Sequence, residues 1–210
     1  LNIPTLLMAD IIHGFRTIFP IPLALGSTWD EAAVEKMAEI SAKEAAVSGL
    51  HVTFSPMVDL VRDPRWGRVM ESTGEDPLLN SRLAAAMVRG YQGENLREDN
   101  WRVAACVKHF AAYGGALAGR DYNTVDMSER QLREMYLPGY KAGLDAGAKL
   151  VMTSFNTVDG IPATGNQWLF RDVLRNEFGF EGVVISDWGA IKELIPHGVA
   201  KDEKQAAELA

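Results

Sequence analysis

The residues with chemical reach in this sequence stand at the ends of short apolar runs. Phe180–Ala190 reads FEGVVISDWGA, an apolar strand over Val183–Ile185 that delivers Ser186, Asp187, Trp188 and Gly189. A carboxylate where a strand ends, followed by an indole, has the form of a catalytic acid held beside a ring-shaped ligand. The competing reading is an Asp that caps the next turn. Lys108 and His109 close a second apolar run, Val103–Val107. Neither can stay in a core without a partner. Neighbours on an extended chain point to opposite faces, so both reach one ligand only if the strand has ended and the backbone turns. We read the pair as ligand-binding, against the alternative of a solvated Lys and a His bonded to backbone. Asp63–Arg68, DPRWGR, joins two guanidiniums to an indole, with Glu71, Glu75 and Asp76 close behind. The guanidinium fork suits sugar hydroxyls or a carboxylate, and Trp66 offers an apolar face. The plainer reading is an ion-pair cluster that stiffens a loop.

Other chemistries find less support. The four histidines show no H-x-x-x-H or Cys/His spacing for a metal. Ser154 and Ser186 lack the G-x-S-x-G of a nucleophile elbow. Gly114–Gly119 has no Lys-Ser/Thr follow-on, so it reads as a mobile loop rather than a phosphate cradle. The single cysteine, Cys106, lies in an apolar run and reads as packing. An aldolase using Lys108 as a Schiff-base former would leave SDW and DPRWGR unexplained. A net charge of -7 with no Lys/Arg block argues against a nucleic-acid partner. No apolar run is long enough to span a membrane, and no signal segment opens the chain. Leu1 already reads as strand and Asp202–Ala210 as a helix under way, so a segment of a longer protein is expected.

These side chains need elements to position them. Strands are expected at Ile3–Ala9, His51–Phe54, Val103–Val107, Leu150–Met152 and Val183–Ile185, the last covered on both faces. Helices are expected at Trp29–Ser48 behind a Thr28 cap, and from Pro77 to about Gly90. Two more are expected at Arg130–Ala146 behind a Ser128/Gln131 capping box, and at Gln167–Phe178 behind Asn166. Strand and helix alternate with crossovers long enough for parallel pairing. No G-x-G-x-x-G follows a strand, which weakens a dinucleotide fold. Asp10, Asp59, Lys108, His109, Ser154 and Asp187 all sit where a strand hands over to its loop. Polar residues drawn from many strand ends suit a barrel mouth better than a single crevice, so the expected fold is an α/β, (β/α)8 TIM-type barrel, present in part.

In order, DIIHG, FPIPLALGSTWD, FSPMVDLVRDPRWGR with ESTGEDP, CVKHFAAYG, MTSFNTVDGIPATGN and GVVISDWGA resemble glycoside hydrolase family 3, in its bacterial β-glucosidase/β-xylosidase branch. The resemblance covers nearly the whole chain. It implies that residues 1–210 are a partial N-terminal (β/α) barrel, followed in the family by an α/β sandwich domain as intramolecular partner. It implies Asp187 as nucleophile, Trp188 lining the next subsite, and Asp10, Arg68, Lys108 and His109 binding sugar hydroxyls. Met152 and Ser154 face the same subsite in the family, and Phe155 stands where some members have Tyr. KHF is followed by AAYGG, not by the Pro-Gly-His of the N-acetylglucosaminidase branch. The resemblance also implies that the acid/base, usually a Glu of the second domain in the glucosidase branch, is assigned to no residue of this segment. The activity implied is retaining hydrolysis of terminal β-D-glucosyl residues through a glycosyl-aspartate, with β-xylosidase or a non-catalytic carbohydrate-binding barrel as alternatives. Lys108 and Arg68, if close, would favour the ionised form of Asp187. The partner is a β-linked glycoside, no cofactor is required, and a periplasmic or secreted location is expected from the resemblance.

Overall fold

A computed structural model of the protein describes residues 2–210. Its strands are, in chain order, β1 (Met8–Ala9), β2 (Val52–Thr53), β3 (Ala104–Phe110), β4 (Thr124–Val125), β5 (Leu150–Thr153), β6 (Thr157–Val158), β7 (Ile161–Pro162) and β8 (Val183–Ile185). Five of them form one parallel sheet in the order β1-β2-β3-β5-β8. That order follows the chain without reversal. A doubly wound sheet reverses at a switch point, whereas a barrel adds each strand beyond the last, so this sheet is part of a (β/α) barrel wall. The hairpin β6–β7, with β4 beside it, forms a separate three-stranded patch that the sequence pattern did not announce.

The helices are α1 (Pro22–Gly26), α2 (Glu31–Val47), α3 (Pro77–Gln92), α4 (Glu129–Gln131), α5 (Leu137–Asp145) and α6 (Glu203–Leu209), with a π-type helix over Trp168–Glu177. Asp76 caps α3, its Oδ1 accepting from Leu79 N at 2.7 Å, and Pro77 opens the first turn. The cap of α2 is Asp30, not Thr28. Asp30 Oδ1 accepts from Ala33 N, while the Thr28 hydroxyl turns back to Leu25 O. Ser128 caps α4 through Gln131 N. The single helix expected beyond it widens into a π-type turn at Leu132–Tyr136 before α5. Pro138 stands just beyond, with no N–H to give the preceding turn.

Two strands depart from expectation. Only Met8–Ala9 of the expected Ile3–Ala9 pairs, and Ile3, Leu6 and Leu7 are exposed. Pro4 lacks a donor, and among the described residues β1 is an edge paired only with β2. β8 is the other edge. Val183 is 59% exposed and Val184 and Ile185 are half-buried, so the strand is not covered on both faces.

The core lies between the sheet and α2, α3 and α5, where Met37, Leu83, Met87, Val107 and Tyr140 are buried. α2 and α3 approach closely at Gly90, where a Cβ would lie 2.3 Å from Glu35 O. α3 also ties the sheet down through two side chains. Tyr91 donates to Ile11 O at 2.7 Å, fixing the segment that follows β1. Gln92 accepts at Oε1 from Ala105 N and Lys149 N, and donates from Nε2 to Gly147 O. The glycine-rich loop after β3 packs at its start against a neighbouring loop. A Cβ at Gly114 would lie 2.3 Å from Leu60 O, so the loop lies directly on the one that carries DPRWGR. Among the described residues no helix is long and apolar enough to cross a membrane.

Candidate active site

The strand ends converge on a cleft of about 850 Å³. Asp10 follows β1, Lys108 and His109 belong to the end of β3, Met152 lies on β5, and Asp187 and Trp188 follow β8. Arg68 joins from a one-turn 3₁₀ helix at Gly67–Glu71. All seven line the cleft. Lys108 and His109 reach it together because the strand becomes irregular there. The β3–β5 register shifts between Val107 and Phe110. Ser154 does not line the cleft. It is buried, and its hydroxyl donates to Asn156 Oδ1. Phe155 lies behind the wall, its ring 4.8 Å from that of Tyr122, which does line the cleft.

Each cation has a carboxylate partner. Lys108 Nζ donates to Asp10 Oδ1 at 2.6 Å, with Lys108 buried and Asp10 largely open to the cleft. Arg68 grips Glu71 with two parallel bonds, Nε to Oε1 at 2.7 Å and a terminal nitrogen to Oε2 at 3.0 Å. Burial works against the Arg68 charge, but Glu71 outweighs it and holds the guanidinium pKa above its ordinary value. Among the described residues neither cation makes an ion pair with Asp187. The neighbour within ion-pair range of Asp187 is His109, whose Nε2 stands 3.3 Å from Asp187 Oδ2. Asp187 Oδ1 accepts from the Trp188 backbone N–H at 2.6 Å, and the Trp188 ring is 94% exposed.

Behind His109 lies Asp59, fully buried. Its Oδ2 accepts from His109 Nδ1 at 2.8 Å and from the His109 backbone N–H at 3.0 Å. Its Oδ1 accepts from Tyr140 Oη at 2.6 Å and from Tyr113 N at 3.1 Å. Burial alone would raise the Asp59 pKa, but these donors reverse that and hold it below 3.8. Burial also pushes the His109 pKa below 6.5, and Asp59 only partly opposes the shift. We therefore take His109 as neutral and Asp59 as ionised. Sequence reasoning marked Asp59 only as one of several strand-end polar residues and missed Tyr140, Glu71 and Tyr113 as supports. Glu71 could have been paired with Arg68 by its i,i+3 spacing. Tyr140 sits on a helix, and nothing in its local pattern separates it from a packing residue.

The family model for the glycosyl hydrolase family 3 N-terminal domain matches residues 1–210. A periplasmic beta-glucosidase of Salmonella typhimurium is 50% identical over 210 residues, covering all of this chain and 27% of that protein. A beta-xylosidase of Formosa agariphila is 37% identical over 222 residues, covering all of this chain and 31% of that one. The crystal structure of a beta-glucosidase from Listeria innocua in complex with glucose superposes with a TM-score of 0.98 at 65% identity, over 99% of this chain and 29% of that one. The chain thus spans less than a third of the length of these relatives. Strand order, cleft and sequence match all agree, and the chain belongs to glycosyl hydrolase family 3.

Proposed function

We propose that the protein containing this chain is a retaining, exo-acting β-glycosidase of the β-glucosidase type, with Asp187 as its nucleophile. The observation that carries this reading is the cleft itself, where Asp187 lies beside His109, Lys108, Asp10 and Arg68 at the mouth of a barrel sheet. In the first step an Asp187 oxygen attacks the anomeric carbon and the bond to the leaving oxygen breaks. That oxygen takes its proton from a second carboxyl group, which the family resemblance assigns to a following α/β sandwich domain. Water then attacks the same carbon, loses a proton to that second group and frees Asp187. The two carboxyl groups of a retaining site stand about 5–5.5 Å apart. Lys108, Asp10, Arg68 and His109 supply donors and acceptors for the ring hydroxyls, Met152 forms part of the wall, and the exposed Trp188 ring offers a face to the adjoining subsite. The chemistry needs no cofactor. A periplasmic or secreted location is part of the same proposal, supported by the name of the Salmonella relative.

In the full-length protein, Asp187→Asn should lower turnover of an aryl β-glucoside by about 10³-fold or more without unfolding. A 2-deoxy-2-fluoro-glucoside should label the peptide that carries Asp187. Hydrolysis by the variant at close to the parent rate would remove Asp187 from this role. The β-xylosidase relative keeps a second specificity in view, and kcat/KM on matched aryl β-glucoside and β-xyloside decides between them.

A further inference from the structure

His109 Nε2 is buried and, among the described residues, has no hydrogen-bond partner. Asp187 Oδ2 is 3.3 Å away, within ion-pair range, yet the contact does not have hydrogen-bond geometry. An orphaned ring nitrogen on a cleft wall needs a physical account, and the other side of the ring provides it. Asp59 accepts four hydrogen bonds, two of them from His109 itself. A carboxylate 2.8 Å from Nδ1 requires a proton on that nitrogen, since two acceptors cannot share the gap. Tyr140 Oη lies 2.6 Å from Asp59 Oδ1 and 2.6 Å from His109 O, and it accepts from Ala112 N. Its one proton can go to the carboxylate, holding Asp59 in place.

We propose that Asp59 and Tyr140 are positioning residues that act through His109: they keep the ring proton on Nδ1, so that Nε2 meets the sugar as a hydrogen-bond acceptor and selects a hydroxyl able to donate. Burial, Arg68 and Lys108 oppose a second ring proton, and Asp59 favours it without prevailing. Asp187 Oδ2 would also favour a proton on Nε2, but at 3.3 Å it lies outside hydrogen-bond geometry. The Tyr113 ring, edge-on at 5.3 Å, helps to hold the imidazole plane. This inference rests on the reading of the cleft as a sugar site.

The test uses the full-length protein with ring-¹⁵N-labelled histidine, His109 being assigned by comparison with His109→Gln. The unaltered protein near pH 7 should show a protonated Nδ1 and a bare Nε2. Asp59→Ala removes the acceptor at Nδ1 and Tyr140→Phe loosens it, and each should give a mixture of the two tautomers. A protonated Nε2 in the unaltered protein would overturn the proposal. Binding of glucose analogues, altered one hydroxyl at a time, gives a second readout that needs no variant. At one ring position the deoxy and deoxyfluoro sugars should bind equally poorly, about 10-fold weaker than glucose, because fluorine accepts but does not donate. Deoxyfluoro sugars that outbind their deoxy counterparts at every position would also overturn it. Failure to label Asp187 with a fluoroglycoside would instead count against the proposed nucleophile and leave the tautomer measurement standing.

Discussion

Asp187 and its neighbours divide into groups that face the cleft and groups sealed behind it. Those that face it were readable from the sequence, because a polar residue at the end of an apolar run has few reasons to be there. Those behind it were not, since Asp59 and Tyr140 meet His109 only through the tertiary fold, 50 and 31 residues away along the chain. Ser154 shows the opposite error. It sits at a strand end like the others, but its hydroxyl is satisfied internally by Asn156. The buried pair also predicts how stability responds to acid. His109 is held neutral below its ordinary 6.5, so the unfolded chain binds the proton more readily, and stability should begin to fall as pH drops below about 6.5. Asp59, with its pKa depressed below 3.8, contributes stability that is present above that value and lost as pH falls through the folded one. Thermal unfolding of the full-length protein across this range should show both declines. In His109→Gln the first should flatten and the second should move to higher pH, because the His109 ring is the main group holding the Asp59 pKa down against burial.

The helices follow their sequence signals where a cap and a proline coincide, as Asp76 and Pro77 do at α3. They depart where a proline falls inside the run, as Pro138 does between the π-type turn and α5. Strand lengths were overestimated at β1 because apolar character marks a strand only when a partner lies alongside. The close crossing of α2 and α3 had no visible signal beyond a glycine in a helical pattern. Its importance can be measured. Gly90→Ala gains helix propensity but places a methyl 2.3 Å from Glu35 O and 2.6 Å from Ala38 Cβ. The overlap should win, with a net loss of about 1–3 kcal/mol in urea denaturation. A variant as stable as the parent would mean that the two helices can move apart freely.

The five-stranded sheet ends in two unpaired edges, β1 and β8, with apolar side chains beside each. Ile3, Leu6 and Leu7 flank one edge, and Val183 and Trp188 flank the other. Such edges recruit partners, and a net charge of -7 opposes association only weakly at physiological salt. Expressed alone, the 210-residue chain should self-associate in light scattering and turn over an aryl β-glucoside negligibly, since it carries one carboxylate of the proposed pair. A monodisperse, fully active 210-residue chain would contradict both statements. Barrel topology was readable because polar strand-end residues recurred from strand to strand. The curled course of the sheet, and the β4–β6–β7 patch beside it, depend on contacts that no local pattern records.

The Gln92 amide bridges the starts of two neighbouring strands from the last turn of a helix, with its oxygen receiving and its nitrogen giving. Deamidation there would add only one dalton and leave the outline of the side chain unchanged. It would nevertheless set a carboxylate against the Gly147 carbonyl, two acceptors facing each other, and place a charge in a buried position. Slow chemical ageing at this one position would loosen the lower rim of the barrel, at the opposite end of the strands from the cleft, while every group in the cleft stayed intact.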